Sequence, residues 1–351
     1  MASRYTTYLG LCFSLLFVAA LPAQRPAQKE AAQKALQKEA AQDVAKKALR
    51  PRVAVLGASV SNGCSCGIIL AAQSPAGRAL AQSEEFLGIP LSQEEYLRRS
   101  RGVSFRTLMG PHFKSAGVRL LDYSDTMFFM NPRKRGGNQV LKAVKREAQL
   151  VFGVDFLFWF VYGSQWVPGS FDSKEAREQA RRKRDAAKLQ FGLDLIEKSI
   201  LPSGATIVIG TIPDMRGCDP RVLPSSGIPP IRTVLWANKK IRAFANKHER
   251  VLLYPLFQRA AAMRSGSYKI GEGEDARYGS VAGLLQVDML HATRLGSAVL
   301  VYDLLGWLRQ NLPKDHVCYP AAPQLNSLLK IAKAEKAFAA LPQEPAGKVR
   351  K

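Results

Sequence analysis

Ser59 lies in the run Gly57-Ala58-Ser59-Val60-Ser61-Asn62-Gly63, and His291 closes the run Asp288-Met289-Leu290-His291 near the other end of the chain. A serine hydroxyl is a weak nucleophile until a neighbouring base takes its proton, and imidazole is the side chain suited to that task near neutral pH. An aspartate three residues before a histidine can sit on the same turn, hold the ring tautomer and stabilise the imidazolium that forms. Ser59, His291 and Asp288 are therefore the candidate nucleophile, base and orienting carboxylate. Each fragment also has a plainer reading, with Ser59 as a helix N-cap and Asp288 as the cap of the last helix. Their combination on the elements that carry them favours catalysis.

Those elements alternate from residue 52 onward. Arg52-Val53-Ala54-Val55-Leu56-Gly57 is short, β-branched and closed by glycine, as a buried parallel strand would be. The same pattern marks Val118 to Tyr123, Phe156 to Tyr162, Thr206 to Thr211 and Val251 to Tyr254. Phe156 to Tyr162 is apolar on both faces and reads as the central strand, which makes Phe158, Trp159 and Phe160 core. Helical stretches lie between, notably Ser173 to Ser199 and Ile231 to Lys247, and Leu295 to Leu308 forms a last apolar helix ended by Pro313. This alternation predicts an α/β fold, a three-layer α/β/α sandwich around a parallel sheet of about five strands. Ligands on such sheets bind beyond the carboxyl ends of the strands, where Ser59 falls. Tyr162 and Trp166, past the end of the predicted central strand, are candidates to line a substrate pocket.

The two end blocks resemble those of the SGNH/GDSL hydrolases, a superfamily of esterases and deacylases with a flavodoxin-like three-layer fold. Gly57-Ala58-Ser59-Val60-Ser61-Asn62-Gly63 is similar to their first block, Gly-Asp-Ser-Leu-Thr-x-Gly, with Ala58 in the place of Asp. Asp288-Met289-Leu290-His291-Ala292-Thr293-Arg294-Leu295-Gly296 is similar to their last, Asp-x-x-His-Pro-x-x-x-Gly, with Ala292 in the place of Pro. Ile209 to Asp214 looks like the strand and loop that often precede the final third. The family's second block supplies a glycine amide to the oxyanion hole; the corresponding stretch here reads Asp122-Tyr123-Ser124-Asp125-Thr126, without glycine. The third block supplies an Asn; after the predicted central strand the chain reads Tyr162-Gly163-Ser164-Gln165-Trp166. The resemblance thus implies an oxyanion hole built from the Ser59 amide with Gln165, Ser164 or Ser124, where losing one donor costs roughly 100- to 1000-fold in rate.

The flanking segments set the context. Arg4 followed by the apolar run Leu9 to Ala20, with small residues at Val18-Ala19-Ala20, predicts a cleaved export signal over residues 1–23 and a secreted or periplasmic protein with no transmembrane span after processing. Residues 24–50, in which Gln-Lys-Glu-Ala-Ala-Gln occurs at 28 and again at 37, read as a helical spacer. The hydrolase-like domain is assigned to 51–320, and 321–351 to a peripheral tail with an amphipathic stretch over Leu328 to Leu341. Cys64, Cys66, Cys218 and Cys318 remain after processing, enough for one or two disulfides; Cys64-Ser65-Cys66 lacks a zinc framework, and no metal or cofactor is expected.

The net charge of +23 suits attraction to an anionic envelope polymer as readily as simple solubility, and export argues against nucleic acid. The basic run Arg133-Lys134-Arg135 falls on the ligand side, whereas Arg181-Arg182-Lys183-Arg184 lies among acidic residues as a solvated face. His112, His248 and His316 have no partner spacing. Two functions from different classes follow. One is an exported serine hydrolase cleaving a small acyl ester, or an O-acetyl or acyl group on envelope polysaccharide or lipid. The other is an inactive SGNH-like module that binds glycan or anionic polymer.

Overall fold

The five strands of the main sheet are short, and the three central ones are almost wholly buried, because each lies between two helical layers. In the computed structural model, which describes Lys34 and residues 50–65, 100–163 and 170–345, they are β1 (Arg52–Val55), β2 (Arg119–Asp122), β3 (Leu150–Gly153), β4 (Thr206–Gly210) and β5 (Val251–Tyr254). All neighbours pair in parallel, in the order β2-β1-β3-β4-β5. Parallel neighbours need crossovers, and helices supply them. Those between the strands are α1 (Ser59–Asn62), α2 (Phe105–Ser115), α3 (Pro132–Lys145), α4 (Lys174–Leu195) and α5 (Ile231–Lys247), and β5 is followed by α6 (Leu256–Arg264), α7 (Val281–Leu284) and α8 (Arg294–Asn311). The period-2 alternation of side chains divides the core in two. Ala54, Val151 and Ile207 face α3, α4 and α5, while Val53, Phe152 and Val208 face α2, α6 and α8. The result is the three-layer α/β fold expected from the alternation of elements.

One strand differs from the sequence expectation. Phe156 to Tyr162 does not form the third strand; β3 is Leu150–Gly153, and the aromatic run that follows folds into a 3₁₀ turn over Phe158–Phe160. Both stretches are apolar, and periodicity cannot tell a buried strand from a buried turn. Phe156 and Phe160 pack edge-on against Phe128, with ring centroids 5.6 and 6.0 Å apart, so the aromatics fill the layer above the sheet rather than the sheet itself.

The C-terminal segment is also better anchored than its composition implies. Helices α9 (Leu325–Ala332) and α10 (Glu335–Ala339) follow α8. Leu328 and Leu329 are buried in the same core as Leu304 and Leu308 of α8. Beyond α10, Pro342 O accepts a hydrogen bond from Tyr278 N at 2.8 Å. Tyr278 lies on a hairpin absent from the sequence expectation, β6 (Tyr268–Ile270) paired antiparallel with β7 (Arg277–Gly279). The chain divides into two units, Met1–Arg50 and Pro51–Lys351, and the sheet and both cores belong to the second. The expected export signal and spacer lie outside the described residues, apart from Lys34 and Arg50. Among the described residues no helix is long and apolar enough to cross a membrane.

Candidate functional site

In a sheet ordered 2-1-3-4-5, the first crossover from β1 goes one way and the rest of the chain builds the other, so a crevice opens between the carboxyl ends of β1 and β3. The loops after these two strands meet there. Gly57 ends the first at φ 128°, a conformation that L side chains rarely adopt, and a Cβ on it would fall 2.0 Å from Asp155 Oδ1. Gln139 of α3 clamps the same peptide, donating to Gly57 O at 2.9 Å and accepting from Gly57 N at 2.8 Å. The single turn α1 then begins with Ser59 at its first position, and Gly63 closes it in the left-handed region at φ 74°. The N-cap position is Ala58, which makes no side-chain cap. Ser59 is therefore not a capping serine.

Asp288 is not a helix cap either; Thr293 caps α8, its Oγ1 accepting from Gly296 N at 3.0 Å. Asp288 and His291 instead occupy a closed loop whose ends pair as an isolated bridge, Leu285 with Ala292. Met289 completes the turn in the left-handed region at φ 58°. Asp288 Oδ1 accepts from the backbone N–H of Leu290 and His291 at 3.1 and 3.0 Å, and its Oδ2 meets His291 Nδ1 at 2.5 Å. Both side chains are buried, with 0 and 4 % exposure. Burial disfavours the charged ring, but the Asp288 charge and hydrogen bond, reinforced by Cys64, outweigh it and bring His291 up to about 10. Burial likewise opposes ionisation of Asp288, yet His291 and the two backbone donors hold its carboxyl below the usual range. With Nδ1 engaged by Asp288, Nε2 is the nitrogen left to exchange a proton with a substrate or nucleophile.

Two candidate nucleophiles, Ser59 and Cys64, share a cavity with His291. A cavity of about 670 Å³ beneath the loop is walled by Ser59, Asn62, Cys64, Trp159, Arg221 and His291, among others. A second, narrow apolar cavity of about 60 Å³ lies on the other side of Ser59, between Ala58, Met215, Met263 and Leu300. Ser59, Trp159 and Leu290 border both. Among the described residues no aligned hydrogen bond joins Ser59 to His291. The same holds for Cys64, which is 7 % exposed, although it lies near enough to the ring to add to its raised proton affinity. Gln286 ties the two together: its backbone N–H donates to His291 O at 2.7 Å, and its side-chain amide donates to Cys64 O at 2.6 Å and Ala292 O at 2.7 Å.

The amides expected to receive negative charge are differently employed. Asp155, in the loop after β3, accepts from Val60 N at 3.0 Å, Ser61 N at 3.2 Å and Ser61 Oγ at 2.6 Å. Its burial raises its pKa, and those donors pull the other way. The Val60 and Ser61 amides of α1 thus already face a carboxyl group, and the Ser59 amide does not. Ser124 is committed too, because its N–H and hydroxyl both donate to Asp122 Oδ1, at 3.0 and 2.6 Å. Asp125 turns its carboxylate toward Arg135 and the Met127 amide, which compensate its charge. The amide that does reach the cavity belongs to Asn62, whose Nδ2 makes long bonds of 3.3 and 3.4 Å to Ser124 and whose Oδ1 accepts from Thr126 at 3.0 Å. The sequence reading overlooked it, although it stands three residues after Ser59.

Of the other residues singled out by sequence, Gln165, Ser164 and Trp166 lie outside the described residues. Tyr162 is in the core rather than at a pocket wall. It is 0 % exposed, stacks on Phe158 at 4.1 Å, donates to Pro213 O at 2.8 Å and accepts from Met215 N at 2.9 Å. Cys64, Cys218 and Cys318 are free and buried, so the disulfides the cysteine count allowed do not form among them; Cys66 lies outside the described residues. Among the described residues no cluster of His, Cys, Asp and Glu has the arrangement of a metal site. A further cavity of about 670 Å³ between α4 and α5 is bordered by Arg181, Arg182 and Arg232, but all three pair with Glu178 and no base–nucleophile pair faces it. Compared with known proteins, the chain matches no family model and no curated sequence.

Proposed function

We propose that the chain is an exported serine hydrolase of the SGNH/GDSL type that cleaves a carboxylic ester. The observation that carries this reading is the position of Ser59: at the β1/β3 crevice, where two cavities meet, with His291, held from behind by Asp288, on the wall of the larger. The narrow apolar cavity suits a short acyl group, and the larger one, walled by Asn62, Thr126 and an Arg221 already paired with Asp219, a polar alcohol portion such as that of an envelope glycan or lipid. In this reading Gly153-Val154-Asp155 stands where the family's third block falls, with Asp155 in the place of its Asn but accepting hydrogen bonds from α1 rather than donating to an oxyanion.

The reaction follows from the pair. Ser59 Oγ bonds to the acyl carbon as its proton passes to His291 Nε2, and Asp288 stabilises the resulting imidazolium. The Ser59 amide and Asn62 Nδ2 stabilise the oxyanion. The bond to the alcohol oxygen then breaks, the alcohol leaves with the proton from His291, and water activated by the same ring hydrolyses the acyl-serine. No cofactor enters these steps. Incubation of the mature protein with a fluorophosphonate probe tests the reading. Labelling that is lost in Ser59→Ala and weakened in His291→Ala is the expected result. Folded wild-type protein that stays unlabelled overturns it and favours the glycan- or polymer-binding module, consistent with Asp155 holding the α1 amides.

A further inference from the structure

We propose that Cys64 is a second nucleophile on the same base, one that takes the acyl group of an activated ester or thioester onto sulfur. The inference rests on the reading of the cavity as an acyl-group site, but it assigns a different atom and a different product. Three observations support it. Cys64 and His291 wall the same cavity. Gln286 fixes both backbones through bonds of 2.6 and 2.7 Å, so their proximity is built by one buried residue rather than by side-chain drift. Asp288 holds His291 at Nδ1, leaving Nε2 for a partner on the cavity side.

The chemistry of the ring favours sulfur. An imidazole raised this far is neutral in only a small fraction of molecules near pH 7, which limits a hydroxyl that needs a base to ionise, whereas a thiol is far more acidic and transfers its proton to the neutral ring much more readily. The other two described cysteines lack this setting. Burial, with the Asp288 charge adding to it, pushes Cys218 up to about 11, and burial pushes Cys318 up to about 12.

The step balances without any further reactant. When the ring is neutral, the Cys64 thiol proton moves to His291 Nε2, and the sulfur lone pair forms the S–C bond to the acyl carbon. The tetrahedral intermediate collapses by breaking the bond to the leaving alcohol or thiol, which departs with the proton from His291. The product is a Cys64 thioester, open to attack by water or by an acceptor hydroxyl in the larger cavity.

The test uses the full mature chain with p-nitrophenyl acetate and, separately, S-phenyl thioacetate, quenched in acid and mapped by peptide mass. Wild type, Ser59→Ala, Cys64→Ser, Cys64→Ala and His291→Gln are compared, with circular dichroism confirming that each is folded. The expected result is one acetyl group on the Cys64 peptide in Ser59→Ala, removed by neutral hydroxylamine as a thioester would be. Added to Ser59→Ala, either Cys64 variant abolishes it and His291→Gln strongly reduces it, with Cys218 and Cys318 unmodified and fragment ions placing the acetyl on Cys64 rather than on Cys66 of the same peptide. Folded Ser59→Ala that carries no acetyl on Cys64, or acetylation that is equal on Cys218 or indifferent to His291, overturns the proposal. Because fluorophosphonate labelling reports Ser59 and hydroxylamine-sensitive acetylation reports Cys64, either reading can fail while the other stands. Cys64→Ser keeps the size of the side chain and guards against a variant that merely fails to fold.

Discussion

The carboxylate of Asp155 occupies the space that a side chain on residue 57 would need: Oδ1 lies 2.0 Å from where a Gly57 Cβ would be. The two residues come from the loops after β1 and β3, and their contact closes the base of the crevice in which Ser59 sits. Gly57→Ala combines this clash with a left-handed backbone at φ 128° and is expected to cost at least about 2 kcal/mol of stability. Urea unfolding measures it. In a double-mutant cycle with Asp155→Ala, which removes the closest contact but leaves Ser61 Oγ 2.9 Å away and the backbone strain, Gly57→Ala is expected to cost less than it does in wild type; an unchanged cost would mean that strain alone governs the site.

The Asp288–His291 pair links stability and activity to pH with opposite signs. His291 is raised in the folded state, so between about pH 6.5 and pH 10 the folded chain binds a proton that the unfolded chain has released. Its stabilisation is full below the unfolded value and is lost as pH rises through about 10. The difference in melting temperature between wild type and His291→Gln is therefore expected to shrink steadily across that window. Ester hydrolysis through Ser59 needs the neutral ring, so its rate is expected to climb over the same range. A hydrolysis rate flat from pH 7 to 10 would be incompatible with His291 as the base.

Gln286 is fully buried and acts through Cys64 and His291 rather than on a substrate. Gln286→Ala leaves the carbonyls of Cys64 and Ala292 without this donor and frees the loop that carries His291. The fluorophosphonate labelling rate is expected to fall on the order of 10- to 100-fold, as small displacements of reacting groups do, in protein that remains folded by circular dichroism. Gln286→Glu, which keeps the shape but donates no hydrogen bond when ionised, should not restore the rate.

Tyr162→Phe distinguishes a core residue from a pocket residue. The substitution removes the hydroxyl that bridges Pro213 O and Met215 N and is expected to cost about 1–3 kcal/mol in urea unfolding. Labelling of Ser59 should remain at the wild-type rate. A labelling defect without a stability loss would return Tyr162 to the pocket.

Leu329→Ala probes the C-terminal helices. Leu329 is 2 % exposed between α9 and the α8 core, and truncating a leucine there is expected to cost about 2–5 kcal/mol. A peripheral tail would give almost nothing.

Much of the architecture was legible in the residues. β5 falls on Val251 to Tyr254 and α5 on Ile231 to Lys247, the stretches the pattern marked, because a short β-branched run and an amphipathic period each write their geometry into consecutive residues. Leu328 also reads as apolar, but whether the stripe around it has a partner depends on α8, more than twenty residues earlier in the chain. The third strand was misplaced for a related reason. Leu150-Val151-Phe152-Gly153 and Phe156 to Tyr162 carry the same apolar signal, and their roles separate only where β1 and β4 provide strand partners on either side of Leu150 and Val151.

The candidate site divides along the same line. Asp288 and His291 are three residues apart, so one turn of backbone joins them and the local sequence suffices to suggest the pair. Ser59, Asp155 and Gln286 are separated by about a hundred residues or more, and no local pattern says that their loops converge at the β1/β3 crevice. Cys64 is the sharpest instance. In the sequence it counts only as one of several cysteines, with no sign of the histidine 227 positions away. Its relation to His291 exists because Gln286 donates to both backbones, and hydrogen bonds made across such distances are properties of the folded chain.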